Sequence, residues 1–388
     1  MEQAIGVGAY AYVFDASDNL WLSCTHYNGL IKYDVKAQEL EYVKLFSDYD
    51  ISTSHLHGAA KRIDSRLFFF PFLSNTIHIY DVISEKERTI KLPNINSEKS
   101  YFREIYENNG YFLIFPTCLN GFAFKINIDT EEVTIHQELS TIFSEYTFTE
   151  KQNSTICFSD GEMLISLPNR NEILMVDMNT YRKKVISIKI NYNIQNMKKC
   201  GNYLFVTVSD SYNVYKIDLI SLKIEEYCII KKTLADRQKL APYSDIMVLN
   251  GCIFTSNYYA DQILRIDNNG VIKNIFSEML EDIQLAIKGY IGAIYGGIIS
   301  NKEKLYFVPG RASHLIEYDC KTDKCKYIEF SFTRFNNKIV ETIFMNNFLK
   351  SQKEGIISLK DFMSIVYHKQ QKLVASSCVG VKICERLK

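Results

Sequence analysis

The stretch Arg66–Asp81, RLFFFPFLSNTIHIYD, decides the fold. Leu67 to Phe70 is an apolar strand. Pro71 lacks a backbone donor and fits only at a strand end or edge. Ser74 and Asn75 are short polar residues that bond their own backbone and start a turn. Thr76 to Tyr80 is a second strand, in which Ile77 and Ile79 alternate with His78, and Asp81 stops it. The phrase returns about every 45–50 residues, so the chain is a repeat protein.

The acidic residue that ends the second strand sets the register. The marks are Asp34, Asp81, Ile126, Asp177, Asp218, Asp267 and Asp319, with successive spacings of 47, 45, 51, 41, 49 and 52. Ile126 departs from the pattern, with Asn127 and Asp129 nearby. Six residues before each mark stand Asn28, Asn75, Asn120, Asn171, Tyr212, Asp261 and Ser313, a column of turn chemistry. Ten residues before the marks, Pro71, Pro116 and Pro309 fall in register, and Pro168 is one place off.

Each unit supplies four short strands. In the second they run over Leu56–Ile63, Leu67–Phe70, Thr76–Tyr80 and Glu87–Leu92. Val, Ile, Tyr and Phe build them, and Asn, Asp, Gly and Lys break them. Four strands in about 40–50 residues is the period of a propeller blade. A lone blade exposes both faces of its sheet, and stacking the blades in a ring buries them. Separate β-sandwiches are the alternative, but sandwiches need no repeated phrase. The expected fold is all-β: a seven-bladed β-propeller of four-stranded antiparallel blades over residues 1–332. A helical tail over 333–388 is expected to pack on it. An eighth, partial blade built from Ile365–His368, Leu373–Ser377 and the terminus is the alternative for the tail.

Helical signals lie outside the phrase. Lys231 to Leu240 has helical composition. Ser277 to Lys288 reads as a short capped helix with Leu280, Ile283 and Ile287 as its apolar stripe. In the tail, Leu359, Phe362, Met363 and Val366 follow Ser358 at helical spacing. Asn336–Gln352 reads as a helix or a partly ordered insert, and helix is expected to be confined to about 277–288 and parts of 336–388.

Composition excludes several classes. Of 388 residues, 47% are hydrophobic, enough for a large core, and 26 Tyr with 24 Phe suit half-buried sheet faces. Forty-five basic residues balance 45 acidic ones, so no net charge steers the chain toward nucleic acid or an anionic membrane. No apolar run reaches the length of about 18 residues that would span a bilayer. The ten cysteines contain no Cys-x-x-Cys pair and no close set of four ligands, which reads as reduced core thiols without a metal or cofactor. Cys320 and Cys325 flank a tight turn and are expected to face each other across a hairpin. The N-terminus has no signal-like run, and a cytoplasmic location is expected.

The phrase LxFxPxxxNxIxxYD, carried by residues 5–331, resembles that of bacterial propellers in the broad group of streptogramin lyase-like and NHL-like proteins. It also resembles uncharacterised propellers of low-GC bacteria, which imply no activity. The Trp-Asp and Gly-His signatures of WD40 repeats are absent, and so are the glycine doublets of kelch repeats.

In a propeller the innermost strands line a central channel. The connections into them, and those between second and third strands, open on one face. That face would display His26, His55, His57, Arg103, Arg170, Tyr243, Tyr258, Arg311 and His314. Arginine forks bind carboxylate or phosphate, and tyrosine offers a flat apolar face with a polar tip. Two functions follow. One is a non-catalytic binding module that holds a partner protein, peptide, glycan or polar anionic ligand on this face. The other is a propeller lyase or hydrolase, with His57 as general base and Arg103 or Arg311 steadying a developing anion. His55, His57 and His26 are the only grouping suggestive of a metal, and no carboxylate close in sequence completes it. Polar turn histidines are the plainer reading. His78 reads as a satisfied strand histidine, and Arg170 and Arg311 as solvated turn residues.

Overall fold

Leu67, Phe68, Phe69 and Phe70 are all completely buried. Successive side chains of a strand point to opposite faces, and here each face has a neighbour. Leu67 and Phe69 pack with Val13, Trp21 and Phe46 of the unit before. Phe68 and Phe70 pack with Ile105, Phe112 and Phe124 of the unit after. A sheet covered on both sides has no polar face to show, hence the unbroken apolar run.

The same arrangement recurs around a ring. The computed structural model describes residues 8–25, 27–50, 53–93, 102–116, 122–146, 155–167, 170–190, 193–209, 211–227, 243–257, 263–275, 295–310, 312, 314–329 and 332–334. These residues form seven sheets, each built on four antiparallel strands taken consecutively from the chain, and one of them gains a fifth strand. The inner strands are Ala9–Phe14, His57–Ile63, Phe102–Asn108, Ile156–Ser159, Ile194–Cys200, Tyr243–Leu249 and Tyr295–Asn301. The buried apolar side chains fall into seven clusters, each joining two neighbouring sheets. One of them sets Ala9, Leu22 and Tyr33 against Tyr306, Val308 and Leu315, and so joins the seventh sheet to the first. The fold is therefore a closed seven-bladed propeller, and its core is the set of layers between blades.

The register marks have a defined task. Asp81 Oδ1 accepts from the backbone N–H groups of Ile83 (3.0 Å) and Ser84 (2.8 Å), which fixes the hairpin between third and outer strands. Asp34, Asp177, Asp218 and Asp319 do the same at their own hairpins. In blade three the residue in this role is Asn127, which accepts from Asp129 and Thr130, each at 2.9 Å. The sequence count placed the mark on Ile126. That residue pairs with Phe112 inside the ladder, and an amide oxygen one place later does the work of the carboxylate.

Three further differences are physical. Phe332–Arg334 forms a short strand that pairs parallel with Glu39–Lys44, the outer strand of blade one, so the chain beyond blade seven returns to the first sheet. Gln137–Ser144 is an α-helix where none was expected. Its buried residues Leu139, Ile142 and Phe143 recur at helical spacing and fill the layer between blades three and four. Cys325 lies opposite Tyr318 in the ladder, not opposite Cys320, and both thiols are free. The segments 231–240, 277–288 and the tail from 335 onward, with its partial-blade alternative, lie outside the described residues. Among the described residues no helix is long and apolar enough to cross a membrane.

Candidate site at the channel mouth

In a four-stranded up-and-down blade, the entry to the inner strand and the connection from second to third strand leave at one end. Six inner strands begin there with a bulge, between Ala9 and Ala11, His57 and Ala59, Phe102 and Ile105, Ile194 and Asn196, Tyr243 and Asp245, and Tyr295 and Gly297. A bulge frees one residue from the ladder and re-aims its neighbours. Those residues bind the next blade. Asn196 Nδ2 donates to the Tyr243 carbonyl (3.1 Å), and Ser244 Oγ to the Tyr295 carbonyl (2.5 Å). In blade four Thr155 Oγ1 donates to the Gln195 carbonyl (2.8 Å). At Gly58 and Gly296 the next inner strand comes closer still. A Cβ there would strike the carbonyl oxygens of Phe102 and Ala9.

Blades one and two meet at this end in an aromatic group. Tyr10, His55 and Phe72 have ring centroids 5.9–6.3 Å apart. Tyr10 and His55 are half-buried, and Leu73 beside Phe72 is 37% exposed. His55 holds this place with a left-handed backbone, φ 57°, its N–H given to the Thr25 carbonyl and its carbonyl taking the Leu73 N–H.

His57 follows two residues later but turns inward. It is 2% exposed and lies in the layer between blades one and two. Its Nδ1 is 2.7 Å from Ser23 Oγ, and its Nε2 is 2.8 Å from His78 Nδ1. Burial holds its pKa well below the usual histidine value, and the neighbouring His78 adds to that. The ring stands between Phe46 and Phe69, with centroids at 4.5 and 5.6 Å. His78 is completely buried and also contacts the Ser47 carbonyl (3.1 Å), so it is a satisfied strand histidine.

Charged groups stand in the channel. Lys198 is exposed on the inner strand of blade five, yet Glu104 of blade three and Asp245 of blade six both act on it. Non-adjacent blades meet only across the channel. The channel walls strip part of the lysine's water, which lowers its pKa although the side chain is open to the channel, and the two carboxylates more than offset this, so it is held above the usual value. Asp245 Oδ2 accepts from Ile298 N–H of blade seven at 2.9 Å. Gly297 has no side chain, and the Tyr12 hydroxyl comes in over it toward Asp245.

The sequence candidates thus part company. His55 reaches the mouth. Tyr243 is buried, its hydroxyl donating to the Tyr212 carbonyl (3.1 Å). Arg170 is exposed at the turn into the third strand of blade four, and His314 starts the third strand of blade seven, partly exposed. Both stand apart from the blade-one and blade-two seam. Arg103 contributes backbone to the inner strand of blade three, and its side chain lies outside the described set. His26, Tyr258 and Arg311 lie outside the described residues. Among the described residues no three His, Cys, Asp or Glu side chains gather as metal ligands. Sequence reading passed over Tyr10, Tyr12, Phe72, Glu104, Lys198 and Asp245. A signal was there: Asp245 occupies the inner-strand position where blades one, two and seven carry Ala11, Ala59 and Gly297.

No protein-family model matches this chain, and no curated protein does. Solved structures match it in fold. A virginiamycin B lyase from Staphylococcus aureus is 14% identical over 79% of this chain and 93% of its own, with a TM-score of 0.58. A streptogramin B lyase is 14% identical over 84% and 97%, with a TM-score of 0.59. The extracellular domain of a putative hybrid two-component system from B. thetaiotaomicron is 9% identical over 80% of this chain and 38% of its own, with a TM-score of 0.53. The resemblance to streptogramin lyase-like propellers holds, at the level of the fold.

Proposed function

We propose that this protein is a binding module that holds a partner's loop or a small polar ligand at the channel mouth between blades one and two. The observation that carries this reading is the Tyr10–His55–Phe72 group beside the exposed Leu73. Tyrosine and histidine offer contact area at low entropic cost and keep a polar tip, the combination common in recognition surfaces. Lys198, Glu104 and Asp245 then supply charge of both signs in the channel. That suits a partner with polar groups and does not favour a purely anionic one. A propeller enzyme with His57 as base finds less support, because both of its ring nitrogens are engaged in a buried layer.

The test places a photo-crosslinking amino acid at Leu73, and at Ile83 on the opposite end as control, in the native cell. The expected result is a discrete adduct from the Leu73 position alone that vanishes when Tyr10→Ala is added. Identical adducts from both positions, or an adduct indifferent to Tyr10→Ala, would remove the mouth as the site.

A further inference from the structure

The hydrogen bonds through blade two run in one direction. The Ser47 carbonyl can only accept, so His78 Nε2, 3.1 Å away, carries a proton. A neutral His78 then accepts at Nδ1, and His57 Nε2 donates to it across 2.8 Å. His57 Nδ1 is left to accept from the Ser23 hydroxyl at 2.7 Å. Each nitrogen of both rings is used, and the two residues are 2% and 0% exposed. A further proton has no place in this chain. On His78 it would force His57 into its other tautomer, turn the Ser23 hydroxyl round and leave a cation in a fully buried ring. On His57 it would turn the serine hydroxyl round and leave a cation among Phe46 and Phe69.

The far end of the chain of bonds is the strap from blade one to blade two. Phe46 gives its N–H to Asn28 Oδ1 (3.0 Å), and the carbonyls of Phe46 and Tyr49 take Asn28 Nδ2 (2.8 and 2.9 Å). Between them, Ser47 takes the His78 proton and gives its N–H and hydroxyl to Glu87 Oε1, each at 2.8 Å. The charged groups that face His78 are Glu87, whose Oε1 is 3.9 Å from Nε2, Asp48 and Lys44. Lys44 is itself 2.5 Å from Glu87 Oε2. The connection that contains this strap goes on to His55 at the mouth.

We propose that the His57–His78 pair is a proton-operated latch, which holds the strap 46–49 against blade two while both rings are neutral and releases it in mild acid. Burial keeps both rings below the ordinary histidine value of 6.5 in the closed form, His57 far below. In the opened form they return to it. The latch therefore keeps its full advantage above about pH 6.5 and loses it as the pH falls. Below that point the opening constant rises about tenfold per pH unit for each ring that gains a proton.

Native-state hydrogen exchange on the intact chain tests this without any ligand, at about pH 7.5 and about pH 5.5, corrected for intrinsic rates. The expected result is about a tenfold or greater loss of protection over 46–49, with protection kept at Leu204–Val206 in blade five. Gln at both His57 and His78 keeps donors and acceptors without a titrating group and should abolish the change, whereas His78→Gln alone should weaken it and leave the part that belongs to His57. Equal protection at both pH values, a uniform loss around the whole ring, or an undiminished acid response in the double variant would each overturn the latch. Should the double variant not fold, the imidazole proton resonances of the unaltered protein decide. Titration of His57 and His78 at the ordinary value with 46–49 still protected would overturn it as well.

Discussion

Asp81 shows how one oxygen atom sets a blade. Its Oδ1 gathers two backbone donors, and Ser65 Oγ donates to Oδ2 at 2.7 Å. The Ser84 N–H, followed by the Ser65 hydroxyl, holds its pKa down to about 2. That value lies below the unfolded one of 3.8, so the stabilisation is complete above about pH 4 and fades as the pH falls toward 2. Asp81→Ala should lower stability by about 1 kcal/mol, read as a shift in the urea midpoint. Asp81→Asn should keep most of it, because Asn127 already fills the role in blade three, and should lose the acid dependence. An Asn variant as weak as the Ala variant would show that charge matters here more than the accepting oxygen. This residue was legible in the sequence because it recurs. His57 was not, since nothing in Ser54-His-Leu-His57 says that one histidine reaches the mouth and its neighbour turns in toward His78. That depends on the bulge between His57 and Ala59 and on the left-handed backbone at His55.

At the scale of elements, strand positions followed from local chemistry, and the expected strands of the second unit agree with the observed ones to within a residue at each end. Packing between elements decided what local chemistry left open. The helix Gln137–Ser144 is short, and its stripe was overlooked because the phrase around it is all strand. The charged inner-strand residues Glu104, Lys198 and Asp245 were passed over because their partners sit on other blades. The closest approach between elements is at the inner strands, where Gly58 faces the Phe102 carbonyl and the Phe72 ring. Gly58→Ala should therefore cost about 1–3 kcal/mol through overpacking, although the substitution usually favours a strand. An unchanged thermal midpoint would mean that the inner strands of blades two and three have room between them that the geometry denies.

At the scale of the molecule, the seam between blades seven and one makes the ring a ring. An open stack of the same blades would fray from its ends, because each unit touches only its neighbours. A closed ring has no end to fray, and the mouth between blades one and two keeps its shape only while the circle holds. Leu22 lies in the seven-to-one seam and Leu204 in the four-to-five seam, both completely buried. Truncation of either to alanine should cost about 2–5 kcal/mol. In a closed ring both variants should still unfold in one transition, with far-ultraviolet dichroism, tyrosine fluorescence and hydrogen exchange in every blade moving together. In an open stack Leu22→Ala would instead melt blade one early and leave blades three to five protected, while Leu204→Ala would split the molecule near its middle. Separate transitions for Leu22→Ala would therefore show that the seam is a contact without mechanical consequence. A shared one would show that the first and last blades bear on each other as firmly as any other pair.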